Sequence, residues 1–318
     1  MNIAWFASPR AWGAGILVLA VTVGPPAAQS SGRWTAAAPM PEERTEVAVA
    51  ALAGKLFVVG GFGGRGSLLE YDPAADRWRE RAAPPISVHH AGLAAVDGRL
   101  YLVGGYTGDW QPVARTVVYD PASDRWRELA PMPTARGALA VGVIDGKIHA
   151  VGGVGPGPGR RNTAAHEAYD PAADRWAALA PLPTPRDHLA AGVVDGRLYA
   201  IGGRIDGSYA RNLAVNEEYD ARTGRWRARA PMPTARSGIA AAVLGRDVFV
   251  FGGESTTGTF AEVEAYDPAR DRWSARASMP TARHGLGAAA VEGRIFVLSG
   301  GPRPGGSYSA ANEVFTPP

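Results

Sequence analysis

Five arginines recur at equivalent places along the chain, each just before a run of small apolar residues. They are Arg44, Arg136, Arg186, Arg236 and Arg283, and Val88 takes the corresponding place in one further copy. Cations gathered on one surface attract anions. At about 10 Å, two such cations repel each other by roughly 1.7 kcal/mol at an effective dielectric of about 20. Such a set therefore requires nearby carboxylates or a bound anion.

Carboxylates recur with the arginines, two residues before an aromatic side chain. They are Glu167, Glu217, Glu264 and Glu313. In one interpretation the arginines and glutamates form structural pairs that tie neighbouring repeats together, although buried pairs do not by themselves imply stability. In the other, the arginines are partly free and form an anion-binding ring. The sequence leaves both interpretations open.

Further candidate ligand-binding residues lie in the variable segments after recurrent Gly-Gly pairs. They are Trp110, Arg204, Tyr209 and Glu254, and His284 follows one of the recurrent arginines. Variable loops on a rigid scaffold commonly carry function. An exposed aromatic ring beside cations suits stacking on a sugar or a peptide. For Trp110 the alternative is local packing of a long loop.

Several kinds of chemistry receive no support. The histidines fall in different repeats without ligand spacing, so the sequence predicts no metal site and no cofactor. His149 takes the place of Tyr101 and Tyr199 in its repeat, which indicates a core position. Motifs for serine hydrolases, zinc proteases and phosphate loops are absent, so no catalytic residue is predicted. Without cysteine, disulfides and thiolate chemistry are excluded.

The elements that position these residues form a repeat. Gly-Gly pairs recur at intervals of 44, 48, 50, 50 and 48 residues, and tryptophans at 44, 48, 50, 50 and 47 residues. The pairs begin at Gly60, Gly104, Gly152, Gly202, Gly252 and Gly300, and the tryptophans are Trp34, Trp78, Trp126, Trp176, Trp226 and Trp273. Self-similarity at this period is typical of repeat architectures.

One repeat predicts four strands. In residues 136–180 these are Ala138–Ile144, Lys147–Val151, Ala165–Tyr169 and a strand that starts near Trp176. The pair Asp145-Gly146 is typical of a two-residue hairpin turn. Small side chains on each first strand suit a crowded axis, whereas large rings on later strands suit the wider gap between diverging sheets.

These features resemble the kelch repeat: a small first strand, Gly-Gly ending the second, Glu-x-Tyr-Asp-Pro on the third and Trp opening the fourth. The resemblance covers about residues 33–315 and implies an all-β, six-bladed β-propeller. Trp34 belongs to a fourth strand and Asn312–Phe315 to a third. Pairing them completes the last blade with the N-terminal strand and removes a sheet edge. In kelch propellers the face with the recurrent arginines and the loops after Gly-Gly is the usual ligand surface.

The N-terminal residues have a different pattern. Residues 1–28 are predicted to be a signal peptide, with Arg10, then an apolar run over Ala11–Val23, then small residues before a cleavage site after Ala28. About 20 apolar residues are needed to span a bilayer, more than this run offers. We therefore expect a secreted or periplasmic monomeric propeller over residues 29–318. The alternative is an inner-membrane anchor formed by an uncleaved segment.

The predicted function is non-catalytic binding of a protein, an acidic peptide or an anionic glycan. The net charge is +3, with basic and acidic residues interleaved, which does not favour nucleic acid. Nothing beyond the signal segment indicates a membrane. Similar periplasmic kelch propellers include a sialic-acid mutarotase, so the resemblance implies a carbohydrate-active alternative. Glu254 or His284 would then transfer protons.

Overall fold

The computed structural model of the protein describes residues 1, 2, 4 and 31–318. The predicted signal peptide lies outside the described residues apart from those first three positions. The chain divides into Met1–Ser30 and Ser31–Pro318, and the second unit holds all the strands of the described residues. Among the described residues, no helix has the length and apolar character needed to cross a membrane.

The described residues form six antiparallel sheets of four strands each. A single short 3-10 helix, Tyr209–Arg211, is found among them. The predicted all-β, six-bladed propeller is therefore confirmed. The strands are β1 Arg33–Ala36, β2 Ala48–Leu52, β3 Lys55–Val59, β4 Leu68–Asp72, β5 Arg77–Arg81, β6 Gly92–Val96, β7 Arg99–Val103, β8 Thr116–Asp120, β9 Arg125–Glu128, β10 Ala140–Ile144, β11 Lys147–Val151, β12 His166–Asp170, β13 Arg175–Ala178, β14 Ala190–Val194, β15 Arg197–Ile201, β16 Asn216–Asp220, β17 Arg225–Ala228, β18 Ala240–Leu244, β19 Asp247–Phe251, β20 Val263–Asp267, β21 Arg272–Ala275, β22 Gly287–Val291, β23 Arg294–Leu298 and β24 Asn312–Thr316.

The blades follow the chain, and the last one joins its two ends. Blade one is β2–β5, blade two β6–β9, blade three β10–β13, blade four β14–β17 and blade five β18–β21. Blade six contains β22, β23, β24 and β1, with Trp34 opposite Phe315. The predicted closure by the N-terminal strand is confirmed. It pairs a strand edge that would otherwise be exposed.

The predicted strands of blade three agree with the structure to within two residues. The first strand begins at Ala140, not Ala138, because Ala138 has a φ of 55°. A residue in the left-handed region interrupts the extended conformation of a strand. Its neighbour Gly137 instead forms an isolated bridge to Val154. The residues just before each first strand therefore form a turn, which matters for the site described below.

Tryptophans join neighbouring blades. The indole N–H of Trp78 in blade one donates to the carbonyl of Ala38, which follows the last strand of blade six, at 2.9 Å. Trp34 makes the same contact from blade six to Ala277, which follows blade five. Each ring also packs on the aromatic of its own third strand, as Trp78 does on Tyr71. Large rings therefore lie between blades, as predicted.

An aspartate reinforces the same junction in four blades. In blade one the Tyr71 hydroxyl donates to Asp76 at 2.5 Å, and Asp76 also accepts the N–H of Ala38 at 2.8 Å. Blades two, three and five repeat both bonds. Blade four has Gly224 at this position and Tyr219 lacks the bond. The Asp-Pro segments therefore serve the fold.

Candidate functional site

A closed ring of backbone hydrogen bonds surrounds the propeller axis. Each blade contributes the second residue after its recurrent arginine position, and each N–H donates to the carbonyl of the preceding member at 2.7–3.1 Å. All members have positive φ, which favours glycine and strains other residues. We call this set the axial ring: Glu46, His90, Ala138, His188, Gly238 and Gly285. Its larger side chains are held in a strained conformation at the axis.

A cavity of about 300 Å³ opens on one side of the axial ring. We call it the mouth cavity. Three ring members line it, Glu46, His90 and His188, and they also line a narrower channel of about 80 Å³ along the axis. The ring therefore forms the floor of the mouth cavity. Loops that follow the second strands form its walls and rim.

The recurrent arginines do not reach this cavity. Arg186 is fully buried and donates to Glu217 at 2.6 Å, to the carbonyl of Thr184 at 2.8 Å and to the carbonyl of Gly202 at 2.8 Å. The other four arginines are equally buried. The interpretation that these arginines form an anion-binding ring is therefore wrong, because buried guanidinium groups cannot contact a ligand. The five arginines without exposed surface are Arg44, Arg136, Arg186, Arg236 and Arg283.

The pairs have a regular pattern. Arg136–Glu167, Arg236–Glu264 and Arg283–Glu313 repeat the contact of Arg186 with Glu217. In each case the arginine precedes the first strand and the glutamate lies on the third strand of the same blade. The expectation that these pairs tie neighbouring blades together is therefore wrong. Each pair joins the segment before the first strand to the third strand of the same blade.

Blades one and two depart from the pattern. Leu69 stands in the glutamate position of blade one, and Arg44 pairs with Glu42 instead, at 2.8 Å. Blade two lacks both partners, with Val88 and Val117 in their places. Loss of the arginine therefore goes with loss of the glutamate, which is the behaviour of a structural pair.

The other five candidate residues do line the mouth cavity. Trp110 is 40% exposed at the rim, whereas Glu254 and His284 are almost fully buried at the floor. Arg204 and Tyr209 come from the blade-four loop. The structure brings these five residues together from blades two, four, five and six.

Arg204 is the centre of the polar network. Its Nη1 donates to Glu254 at 2.6 Å, its Nη2 to Nε2 of His188 at 2.8 Å, and its Nε lies 3.3 Å from Asp187. Burial alone would lower the pKa of Arg204, but Glu254 and Asp187 outweigh it and raise that pKa. The guanidinium also lies 4.5 Å from the ring of Tyr209. Arg204 is therefore a permanent cation with a fixed orientation.

Sequence reasoning missed Asp187. Its side chain is fully buried and accepts from Nδ1 of His188 at 2.5 Å and from the N–H of Gly207 at 2.9 Å. Burial opposes its charge, but His188 and Arg204 lower the pKa of Asp187 to about 2. Asp187 therefore holds His188 and Arg204 in place as a carboxylate.

Glu46 was also missed as a cavity residue. The available signal was departure from the repeat, because Glu46 occupies a ring position where other blades have Ala138, Gly238 or Gly285. Three of the six ring positions carry alanine or glycine, so the shared fold does not require a charged side chain there. Such departures indicate positions used for something other than packing.

The rim contains a cation stacked on an aromatic ring. Arg160 is exposed, and its guanidinium carbon lies 4.2 Å from the ring of Trp110, a distance at which a cation is attracted to an aromatic face. Both residues have positive φ, 63° for Trp110 and 46° for Arg160. Strained backbone is concentrated at binding sites. Across the rim, Tyr308 is 41% exposed.

Sequence profiles of two kelch families match the chain. The KLHDC2/KLHL20/DRC7 Kelch-repeats domain matches residues 169–315, and the Kelch motif matches residues 87–133. The fold and these matches define a propeller built of kelch repeats. This chain belongs to the kelch-repeat β-propellers.

The solved structure of YjhT is similar to that of this chain. The two share a TM-score of 0.77 and 16% sequence identity, and the similarity covers 87% of this chain and 95% of the YjhT chain. At this identity the likeness concerns the fold. No curated protein matches the chain in sequence.

Proposed function

We propose that the protein binds a small carbohydrate in the mouth cavity. The observation that carries the proposal is the combination of an aromatic rim with a buried floor of charged hydrogen-bonding groups in one concave site. Sites of this kind, concave and with few convergent polar groups, are the usual places for small ligands. The ligand would be a molecule of one or two sugar rings.

The size of the cavity favours a small molecule over a protein surface. At about 300 Å³, it lies at the lower end of the range for ligand pockets. A stable protein partner would bury roughly 800 Å² on each side, which requires a broad surface. Of the predicted partners, a glycan therefore receives more support than a protein or an acidic peptide.

The chemistry of the walls suits a sugar. Trp110 and Tyr308, which are 40% and 41% exposed at the rim, offer aromatic surface against which the C–H face of a sugar can pack. Glu46 and Glu254 offer carboxylate oxygens that accept from hydroxyl groups. The hydrogen bonds to charged groups would orient the ligand, while stacking supplies contact area.

The charge of the cavity modifies the predicted preference for anions. Two arginines, Arg160 and Arg204, face three carboxylates, Glu46, Asp187 and Glu254, which gives a formal charge of −1 with neutral histidines. Because Arg204 is already paired, Arg160 is the cavity cation that remains for an acidic ligand. We propose that a carboxylated sugar would place its acidic group at Arg160.

The test is a titration of the full chain with neutral and carboxylated monosaccharides and disaccharides, followed by ligand-observed NMR. Replacement of Trp110 by Ala removes the stacking face, and Arg160→Ala removes the rim cation. We expect each variant to bind about tenfold more weakly, equivalent to about 1.4 kcal/mol. Arg161→Ala is the matched control, because Arg161 is exposed beside Arg160 but does not line the cavity.

Equal binding by all four proteins, or none by the parent, would contradict the proposal. The same spectra report interconversion of sugar anomers. A rate above the buffer blank that is lost in Glu254→Gln would support the carbohydrate-active alternative, for which Glu254 lies on the floor beside His284, at 3.5 Å. Action outside the cytoplasm remains part of the proposal, resting on the pattern of residues 1–28.

A further inference from the structure

The floor of the mouth cavity contains a histidine whose free nitrogen faces two carboxylates. Nδ1 of His284 lies 3.1 Å from the carbonyl oxygen of Gly301, which can only accept, so Nδ1 carries the hydrogen. In the neutral ring Nε2 then has a lone pair and no hydrogen. That Nε2 lies 3.5 Å from Glu46 Oε1 and 3.5 Å from Glu254 Oε2. With His284 in this neutral form, three acceptor atoms face one another.

The same conflict occurs at His90. Nε2 of His89 donates to the carbonyl of Thr107 at 3.0 Å, so neutral His89 accepts at Nδ1 from Nδ1 of His90 at 2.6 Å. Nε2 of His90 is left with a lone pair, 3.1 Å from Glu46 Oε2.

His188 is different, although it belongs to the same axial ring. Its Nδ1 donates to Asp187 and its Nε2 accepts from Arg204, so both ring nitrogens have partners. His188 therefore has no free lone pair. The ring nitrogens left without a donor or acceptor partner of the right kind are Nε2 of His90 and Nε2 of His284, and each faces carboxylate oxygens.

We propose that Glu46, Glu254 and His284 bind a divalent transition-metal ion. Nε2 of His90 faces the other oxygen of the Glu46 carboxylate. A cation placed among these acceptors turns their repulsion into coordination. The ligand atoms of the three residues all lie within 4.8 Å of one another. Imidazole and carboxylate ligands suit zinc and its neighbours in the transition series.

The spacing fits coordination with little movement. Ligand atoms about 2.0–2.1 Å from a tetrahedral ion are about 3.3 Å apart. Nε2 of His284 lies 3.5 Å from Glu46 Oε1 and 3.5 Å from Glu254 Oε2, and all three ligand atoms lie within 4.8 Å of one another. The side of the set that faces the mouth cavity leaves room for a further ligand.

The surroundings hold the ligands as metal sites usually do. Histidine ligands typically donate their second ring nitrogen to a carbonyl or carboxylate, as His284 does to Gly301. Glu254 is oriented through Arg204 at 2.6 Å and the N–H of Gly305 at 3.2 Å. Gly285 leaves space for the Glu46 carboxylate, because a Cβ there would lie 2.6 Å from Glu46 Oε1.

The charge also favours a cation. On the floor, one arginine, Arg204, stands against three carboxylates, Glu46, Asp187 and Glu254, a formal charge of −2. Water screens such buried charges weakly, so the excess is felt strongly by an ion. A divalent ion would neutralise the floor.

The test is calorimetric titration of the tag-free full chain, stripped with EDTA, with Zn²⁺ alone, and absorption spectra with Co²⁺. We expect one ion per chain and at least tenfold weaker binding for Glu46→Gln and for His284→Gln. Glu43→Gln is the matched control, since Glu43 is exposed and three residues from Glu46. It should change the affinity less than twofold.

A further variant keeps every ligand. Gly285→Ala can keep the ring conformation that Ala138 adopts, but its Cβ would lie 2.6 Å from both Glu46 Oε1 and Thr45 Oγ1, so it should shift the Glu46 carboxylate and weaken Zn²⁺ binding. It serves as the test if His284→Gln fails to fold. Circular dichroism of the stripped proteins checks folding. Absence of saturable binding, or equal affinity in Glu46→Gln and Glu43→Gln, would overturn the proposal. A proton shared between His284 and a glutamate would then explain why these acceptor atoms lie close together.

This inference does not rest on the proposed function. The metal titration contains no sugar, so its failure leaves carbohydrate binding untouched. Carbohydrate titrations of the parent protein in EDTA and in Zn²⁺ then show whether carbohydrate binding depends on the metal ion.

Discussion

Two sets of buried charges lie close together at one end of this propeller, and they follow opposite rules. The Arg–Glu pairs, such as Arg186–Glu217, recur from blade to blade with the same geometry and are closed to solvent. The floor of the mouth cavity, with Glu46 and His284, occurs once, breaks the repeat and opens into a cavity. Charges that repeat support the fold, whereas charges that interrupt the repeat are available to a ligand.

The two sets of charges also differ in whether their members come from one blade or from several. In four blades the recurrent arginine meets a glutamate on the third strand of the same blade, so the contact is complete once that blade forms. Glu46, Glu254 and His284 come from blades one, five and six and meet at the axis. A repeat protein can therefore add a site without disturbing its blades by changing residues at the axis.

The largest expected effect comes from breaking a repeating pair. Arg186→Val leaves Glu217 buried without its cation, which should lower the free energy of unfolding by about 3–5 kcal/mol. Urea denaturation measures the loss. Arg160→Ala at the cavity rim is the opposite case, and a surface change of this kind should alter stability by less than about 0.5 kcal/mol.

Blade two supplies the control for that experiment. The double variant Arg186→Val with Glu217→Val copies Val88 and Val117. Because it removes the stranded carboxylate, it should recover at least about 1 kcal/mol of the loss. A double variant no more stable than the single one would show that the arginine acts through its carbonyl contacts and not through the pair.

The next largest effect is a pH dependence of stability caused by two histidines on blade strands, in contrast to the histidines at the axis. His149 and His166 lie in blade three, away from the mouth cavity, 2.9 Å apart. Burial lowers the pKa of His149 to about 4 and that of His166 to about 3, from an ordinary 6.5. Unfolding therefore takes up protons below pH 6.5, so stability is full above that pH and falls as the pH decreases towards 4.

His149→Tyr tests this assignment, since Tyr101 and Tyr199 occupy the same place in other blades. We expect the loss of stability between pH 7 and pH 5 to shrink by about 1–2 kcal/mol in this variant. Urea denaturation at the two pH values measures it. An unchanged loss would mean that His149 titrates in the folded protein as it does in the unfolded chain.

The smallest expected effect comes from adding the tyrosine-binding aspartate to a fifth blade. Gly224→Asp gives blade four the aspartate that accepts from the third-strand tyrosine in four other blades, with Tyr219 as its donor. A hydrogen bond of about 0.5–1.5 kcal/mol is partly offset by the left-handed conformation, so the net gain should be below about 1 kcal/mol.

Asp174→Gly makes the reverse change in blade three, where Tyr169 would lose its acceptor. It should destabilise the protein by about 1 kcal/mol. If both variants lower stability, the aspartate owes its place to the local turn and not to the junction between blades. Neither change should alter carbohydrate or metal binding at the axis.

Much of this fold is encoded in short motifs that the sequence displays directly. Gly-Gly, Tyr-Asp and Trp recur at a nearly constant interval, and each marks a strand end, a turn or a packing ring within one blade. Such motifs act over a few residues, so their meaning does not depend on distant parts of the chain. The unpaired Trp34 and Phe315 segments then required closure of the ring.

Five of the ten predicted site residues line the mouth cavity, and loop residues such as Trp110 and Tyr209 were predictable because they stand outside the repeat. The status of the recurrent arginines was left open. A sequence does not show whether a side chain of this length turns inward to a glutamate about 30 residues away or outward to solvent. The structure turns them inward, as Arg136 does to Glu167 and Arg186 to Glu217.

The sequence by itself determined the number of blades, their strands and the way the ends join, since these follow from local patterns repeated six times. Only the tertiary structure decided which charges are neutralised and which meet at the axis. His90 and His284 are almost two hundred residues apart, and each looks isolated in its own repeat. They both approach Glu46 because closing the circle brings the start of every blade to one axis.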